Sequence, residues 1–372
     1  MQLPVNISEV LRIATDMKEA ENTPVSVSIF IDDTAPGDLT GFVRSLFTSS
    51  GANTRVTISY LDAGSQTLDL KGSEDAVVII AGDSNDIGAC AEYSRNQDIP
   101  CMVVTCDPAN IAANAEEASH PIPFADIVAP VKLESAALEK VTSKVPFLKK
   151  IVDSKLASSN AKVAVGNDAS VGKVELDDDS MKILSSRMGK WIVSAVEGKD
   201  LAFAVAFAFV RRPLADDSIS ATSLQNAAVG FVPFIPGADM PIMTLNQIKM
   251  VLQIATAYGQ PLDTDRVKEI AAVVAGAFLS RHIVRSCTKV IPVAGWVFSG
   301  AMGYAATEAM GRAMIEYFEA GGDIVGVASV MQKARDAVMD ASKKAAASPT
   351  GKKIVSSIKQ VVTDLTVVSN SK

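Results

Sequence analysis

The strongest constraint on the fold is an alternation of short apolar runs with helix-like stretches between residues 25 and 129. The runs are rich in β-branched residues and lie at Val25–Ile31, Val56–Leu61, Ala76–Ala81, Met102–Thr105 and Asp126–Ala129. Strands that alternate with helices at this spacing are typical of an open, mostly parallel sheet. The sequence therefore predicts an α/β N-terminal domain, either Rossmann-like or a degenerate P-loop, GTPase-like open sheet.

After residue 135 the apolar period becomes helical. Helices are predicted over 138–157 and 181–196, and residues 201–210 are an unbroken apolar run of Ala, Val, Phe and Leu. This pattern predicts an all-α helical domain behind the sheet. The predicted domains are an acidic α/β domain over 1–134, an α-helical domain over 135–322 and a mildly basic helical tail over 323–372.

Local signals predict where several helices begin and end. Asp179 is the predicted cap of the helix over 181–196. Thr244-Leu-Asn-Gln247 matches a capping box and predicts a helix start, and Gly259 predicts the end of that helix. Asp263 is the predicted cap of the helix that follows.

Charge is unevenly distributed along the chain. Residues 1–134 contain 20 acidic and 7 basic side chains, whereas residues 135–372 contain 22 acidic and 28 basic side chains. Phosphate neutralisation needs lysines and arginines on the contact surface. The acidic front half therefore argues against nucleic acid as a partner.

The loops at the carboxyl ends of the predicted strands are the candidate site, because ligands of open α/β sheets bind there. The first loop, residues 32–38, carries three carboxylates and no lysine. Such a loop would repel a triphosphate unless a Mg²⁺ ion lay between the carboxylates and the phosphates. The candidate cofactor-binding residues are Asp33, Gly37, Asp83 and Asp107.

The order of these loops along the chain is similar to that in a GTPase domain, but the residues of the GTPase motifs are missing. Asp83 lacks the correctly spaced glycine of Asp-x-x-Gly, and Asp107 lacks the Asn and Lys of the guanine-reading Asn-Lys-x-Asp. The stretch from Gly166 to Val174 imitates a P-loop, but it is one residue too long and has Val174 where Ser or Thr is required. We interpret the stretch from Gly166 to Val174 as a loop. For the chain we expect no cofactor, and a nucleotide bound with magnesium is the alternative.

Metal and nucleophile signatures are equally incomplete. His120 and His282 are far apart in the sequence, and Cys101 and Cys106 do not form a Cys-x-x-Cys pair. No Gly-x-Ser-x-Gly elbow is present. We therefore expect no metal site and no catalytic residues.

Small residues recur at helical spacing in and after the uncharged stretch 290–307. They occupy every fourth position, at Gly295, Ser299, Gly303, Thr307 and Gly311. Such a ridge permits close contact between helices, in a membrane or in a soluble helical domain. The sequence leaves both interpretations open.

Four segments of the helical region resemble an uncharacterised bacterial domain family. They are Pro233-Phe-Ile-Pro-Gly-Ala-Asp239, Thr244-Leu-Asn-Gln-Ile-Lys-Met250, Ala255-Thr-Ala-Tyr-Gly259 and Lys289-Val-Ile-Pro-Val-Ala-Gly295. That family is found behind Era-like GTPase domains and in bacterial inner-membrane proteins, and the resemblance covers residues 201–318. It implies a GTPase-associated, membrane-linked helical domain, and it supplies no catalytic residues.

These observations predict a non-enzymatic scaffold or adaptor whose degenerate nucleotide-binding-like domain recognises a partner. The predicted partner is a protein, with a GTPase or a second copy as candidates, together with the membrane surface or interior. The predicted location is the cytoplasm, at the inner face of the cytoplasmic membrane. The alternatives are a divergent GTP- or ATP-binding protein or GTPase, and a soluble helical carrier of an apolar small molecule.

Overall fold

The computed structural model describes residues 6–48, 53–62, 64–131, 172–196, 198–231, 239–279, 295–323, 325–327, 329–333 and 336. The chain divides into two compact units. The sheet unit comprises residues 17–217 and 256–259, and the helical unit comprises residues 1–16, 218–255 and 260–372.

Five parallel strands form one sheet in the order β2-β1-β3-β4-β5. The strands are β1 (Val25–Ile31), β2 (Thr54–Tyr60), β3 (Ala76–Ile80), β4 (Cys101–Val104) and β5 (Ile127–Val128). Every residue of β3 and β4 is buried, as expected where a parallel sheet is covered on both faces. The predicted α/β domain with an open, Rossmann-like parallel sheet is confirmed.

The sheet is flanked by helices that follow its strands. They are α2 (Gly37–Leu46), α3 (Ile87–Asn96) and α4 (Pro108–Glu117), and α1 (Ile7–Glu21) precedes the sheet. Asp107 caps α4 by accepting the backbone N–H of Asn110 at 3.3 Å, and Pro108 occupies the first helical turn. Phe30, Val77 and Val103 project from one face of the sheet into the core formed with α3 and α4.

Two further helices, α5 (Asp178–Ala195) and α6 (Asp200–Ala206), pack on this sheet. Trp191 Nε1 donates to Asp126 Oδ1 at 3.1 Å, which attaches α5 beside β5. At the end of α6 the ring of Phe207 packs edge-on against Phe47, 5.1 Å away, at the end of α2. The sheet unit thus continues to Asp217, well past the boundary at residue 134 that the sequence predicts.

Further helices with bounds within the described residues are α7 (Ala208–Phe231), α8 (Asp239–Ala257), α9 (Thr264–Leu279) and α10 (Gly295–Glu319). They confirm the predicted helical region behind the sheet. The apolar run 201–210 is not one helix, because Phe207 adopts an extended conformation between α6 and α7. The predicted helix 138–157 and almost all of the tail 323–372 lie outside the described residues.

The predicted helix ends have mixed outcomes. The capping box at Thr244 is wrong, since α8 begins at Asp239 and Thr244 and Gln247 are fully buried inside it. The cap of α5 is Asp177, which accepts the backbone N–H of Ser180 at 2.7 Å, and not Asp179. The end of α8 before Gly259, whose φ is +72°, is confirmed. The capping role of Asp263 is also confirmed, because its carboxylate accepts the backbone N–H of Arg266 at 2.9 Å.

Candidate functional site

The sheet has a topological switch point between β1 and β3. These strands are neighbours, but the chain leaves β1 through α2 towards β2 and leaves β3 through α3 towards β4. Doubly wound sheets of this strand order bind ligands in the crevice beyond the carboxyl ends of the two strands. The loops after β1 and β3 are therefore the walls of the candidate site.

A buried carboxylate joins the two walls. Asp32, which is only 5% exposed, accepts the backbone N–H of Gly82 at 2.9 Å and the hydroxyl of Thr34 at 2.7 Å through Oδ2. The Thr34 hydroxyl oxygen in turn accepts the backbone N–H of Asp83 at 2.7 Å. We call Asp32, Thr34, Gly82 and Asp83 the loop clasp.

The loop clasp brings the two walls into direct contact. A Cβ atom on Gly82 would lie 2.3 Å from the backbone carbonyl and from the hydroxyl oxygen of Thr34. No side chain fits at such a distance, so glycine is required here for close approach rather than for an unusual φ. The loops after β1 and β3 therefore touch each other at Gly82 and Thr34.

The loop clasp also engages the backbone N–H groups that would bind an anion. Phosphate sites in such sheets are built from free backbone N–H groups, often with a lysine. Here the N–H groups of Thr34, Gly82 and Asp83 all donate to side chains of the clasp. In this part of the crevice a phosphate would meet negative charge instead of hydrogen-bond donors.

The four sequence-predicted residues all lie at this edge of the sheet, but only two of them share a neighbour. Asp83 Oδ1 accepts the side-chain amide of Asn110 at 3.2 Å, and Asp107 accepts the backbone N–H of the same residue. Asp33 is exposed on the loop after β1, and Gly37 is exposed at the first residue of α2. The sequence analysis missed Asp32, although an Asp at a strand end with Thr two residues later is a turn signal.

One lysine reaches the same edge of the sheet. The backbone N–H of Val174 donates to the carbonyl of Cys106 at 2.8 Å, so the end of the imitation P-loop lies beside the end of β4. Burial and the carboxylate of Asp38 raise the pKa of the Cys106 thiol to about 11, and Lys173 opposes this shift. The earlier part of the imitation P-loop, Gly166 included, lies outside the described residues.

The described cysteines are buried free thiols. Burial, with a smaller contribution from Asp86, raises the pKa of Cys90 to about 11, and burial also raises the pKa of Cys101. Thiols with raised pKa values stay protonated near neutral pH and are poor nucleophiles. His120 Nδ1 pairs with the carboxylate of Glu92, while His282 lies outside the described residues.

Within the described ranges, no three His, Cys, Asp or Glu side chains lie close enough together to hold a metal ion. A pocket of about 610 Å³ opens at the beginning of α9. It is lined by Asp263, Thr264, Asp265, Arg266 and Glu269. Polar and charged walls of this kind do not suit an apolar cargo.

Two residues of the small-residue ridge lie at contacts within the helical unit. Thr307 Oγ1 accepts the side-chain amides of Asn226 on α7 at 3.0 Å and of Gln247 on α8 at 2.7 Å. A Cβ atom on Gly311 would lie 2.3 Å from Ile219 Cγ1, so the α10 backbone touches α7. The side-chain surroundings of Gly295, Ser299 and Gly303 lie outside the described residues.

These contacts belong to a buried polar centre, which we define as Asn226, Gln247 and Thr307. All three residues are fully buried. Asn226 Oδ1 also accepts the side-chain amide of Asn246 at 3.1 Å. The sequence analysis missed Asn226 and placed Gln247 at a helix end, because apolar periodicity does not reveal which polar residues face inward.

Among the described helices, none is long and apolar enough to cross a bilayer. The chain matches no protein-family model, and no solved structure matches it. Over 129 residues it is 26% identical to "Magnetosome membrane protein 22" of Magnetospirillum gryphiswaldense. The match covers 32% of this chain and 66% of that protein, so the chain spans less than two thirds of that relative's length.

Proposed function

We propose that the protein is a non-enzymatic scaffold, in which the α/β domain recognises a protein partner without holding a nucleotide and the helical unit attaches to a membrane surface. The observation that carries the proposal is the loop clasp. It joins the two walls of the switch-point crevice and engages three backbone N–H groups of the kind that bind phosphate in such sheets.

Surface charge supports a protein partner for the α/β domain. Asp33, Asp38 and Asp83 are exposed around the closed crevice, in the part of the chain that contains 20 acidic and 7 basic side chains. Complementary charge accelerates and orients protein association. The partner that fits this surface is a protein with a basic contact patch, and the family resemblance favours a GTPase in this role.

Three observations support membrane attachment of the helical unit. The resembled family occurs in inner-membrane proteins, the relative from Magnetospirillum gryphiswaldense is named a membrane protein, and residues 290–307 carry no charge. Because none of the described helices is long and apolar enough to span a bilayer, the attachment we propose is interfacial.

Liposome flotation tests this function. The full-length chain is compared with a variant lacking residues 290–318, with and without a wash at high salt, and circular dichroism checks that both are folded. Salt screens surface charge but leaves buried apolar contacts intact. We expect a fraction of the full-length chain to float through the wash and the folded variant to stay at the bottom. Sedimentation of both would contradict membrane attachment.

A second candidate function is supported by the position of Lys173 beside Cys106 and Asp107. A lysine at the end of β4 gives a divergent nucleotide-binding protein one of the groups it needs. Titration with a fluorescent guanine nucleotide and Mg²⁺ tests this function. Saturable binding that is lost in Lys173→Ala and kept in Lys182→Ala, an exposed lysine on α5, would favour this function over the scaffold.

A further inference from the structure

The contacts that hold α10 involve its small-residue ridge. Thr307 is the shared acceptor for the amides of Asn226 and Gln247, which come from two different helices. One turn later, Gly311 allows Ile219 of α7 to reach the α10 backbone. Docking therefore hides the side of α10 that close helix or lipid contacts would use.

Three buried polar atoms in the described part of the helical unit lack a hydrogen-bond partner. They are Gln247 Oε1, Ser223 Oγ and Glu308 Oε2, and among the described residues a fourth, Arg95 Nη1, lies in the sheet unit. An unpaired buried polar atom destabilises the state that buries it. Gln247 contacts α10 through Thr307 and Glu308 lies on α10, so these two unpaired atoms make docking weaker than its apolar contacts alone would make it.

The first part of α10 is uncharged, and the second part carries charged residues. From Gly295 to Thr307 it has no charge and contains Trp296 and Tyr304, whereas its charged residues begin at Glu308. Glu308 and Arg312 form an ion pair at 2.7 Å. An uncharged segment with Trp and Tyr, followed by charged turns, suits the boundary between lipid and water.

We propose that α10 is an autoinhibitory helix, which docks on α7 and α8 through the face that carries Thr307 and Gly311. When α10 is released, it inserts the same face into the surface of a bilayer. The proposal rests on the proposed membrane attachment and adds the contact that controls it.

A disulfide between α7 and α10 tests the proposal. A Cβ atom on residue 311 would lie 3.3 Å from Ile219 Cβ, close to the range of about 3.5–4.5 Å found in disulfides. The full chain carries Ile219→Cys and Gly311→Cys, with Cys287→Ser to prevent mispairing. We expect at least tenfold less flotation with neutral liposomes when the pair is oxidised than when the same protein is reduced. Equal flotation of the two forms overturns the proposal.

A second variant acts in the opposite direction. Thr307→Val keeps the shape of the side chain but removes the acceptor for both amides, so we expect several-fold more flotation than for the wild type. Ala305→Ser, at an exposed position on the same helix, is the matched control and should float like the wild type. Equal flotation of Thr307→Val and the control counts against the proposal.

The outcomes separate this proposal from the function on which it rests. If the wild-type chain floats and the oxidised pair floats equally well, autoinhibition is wrong and membrane attachment stands. If the wild type, the reduced pair and Thr307→Val all stay at the bottom, membrane attachment itself is wrong. If reduction doubles the mass measured by light scattering and the protein does not float, the released face of α10 binds a second copy of the chain instead of a bilayer. This result overturns the proposal.

Discussion

Asp32 joins the two loops at the switch point of the sheet. Its carboxylate accepts the backbone N–H groups of Thr34 and Gly82 and the hydroxyl of Thr34. In a nucleotide-binding sheet a phosphate would use such donors. Because these bonds form within the chain, the two loops are held together by the protein's own groups.

Removal of the Asp32 carboxylate should destabilise the sheet unit. In Asp32→Ala the N–H group of Gly82 stays buried and loses its acceptor, which costs about 1–3 kcal/mol in the free energy of unfolding. Asp33→Ala, at the exposed neighbouring position, should change it by less than about 0.5 kcal/mol. Urea denaturation measures both, and equal values for the two variants would contradict the role assigned to Asp32.

Gly82 should tolerate no side chain. Alanine places a Cβ atom 2.3 Å from Thr34, so the loops must separate, and we expect a loss of about 1–3 kcal/mol in the free energy of unfolding. Gly37→Ala is the matched control, because a Cβ there meets nothing within 4 Å and φ is not positive. Thermal denaturation measures both variants. A loss at Gly37 as large as at Gly82 would show that backbone freedom, not close approach, requires the glycine.

Glu74 should make stability depend on acid pH. Burial acts to raise its pKa, but the backbone N–H groups of Lys71 and Ser73 and the Ser28 hydroxyl outweigh burial, so the pKa lies below the ordinary 4.5. A lowered carboxyl pKa adds stability above the unfolded-state value, and this stability is lost as pH falls through the folded-state value.

The variant Glu74→Gln tests this pH dependence. At pH 7 it should unfold more easily than the wild type, by roughly 1–3 kcal/mol, and the difference should shrink as pH falls below about 4.5. Asp69→Asn, exposed in the same loop, is the control. A difference that is constant from pH 7 to pH 3 would contradict the lowered pKa.

At the scale of elements, the strands were predictable and several helix ends were not. The runs Val25–Ile31 and Ala76–Ala81 agree with β1 and β3 within a residue, because central parallel strands are rich in apolar residues. The capping box at Thr244 is wrong because its residue types also suit a buried polar centre. The loop clasp escaped prediction since Thr34 and Gly82 meet only through the fold.

Helices α5 and α6 should be required for the sheet to fold. Trp191 of α5 and Phe207, directly after α6, are buried within the sheet unit, and both lie beyond the predicted boundary at residue 134. A fragment of residues 17–217 should unfold cooperatively in urea. A fragment of residues 17–134 should expose the sheet face, bind a hydrophobic dye and lack a cooperative transition. Cooperative unfolding of the shorter fragment would contradict this account.

For the whole molecule, the sequence was enough to predict a Rossmann-like sheet followed by helices, and to recognise that phosphate-binding chemistry was incomplete. It did not show how the crevice is closed, since that depends on contacts between Asp32, Thr34 and Gly82 across 50 residues. The contacts of Thr307 with α7 and α8 were likewise hidden, because a repeat of small residues fits lipid and protein neighbours equally well.

The central claim is that the closed α/β domain acts without a nucleotide, and the melting temperature of the full chain tests it most directly. Each of GTP, GDP and ATP is added at millimolar concentration with Mg²⁺, and EDTA serves as the control. A nucleotide at 100 times its dissociation constant would add about 2.7 kcal/mol, which raises the melting temperature by several degrees. We predict that none of the three nucleotides shifts the melting temperature. A magnesium-dependent rise of several degrees would contradict the account.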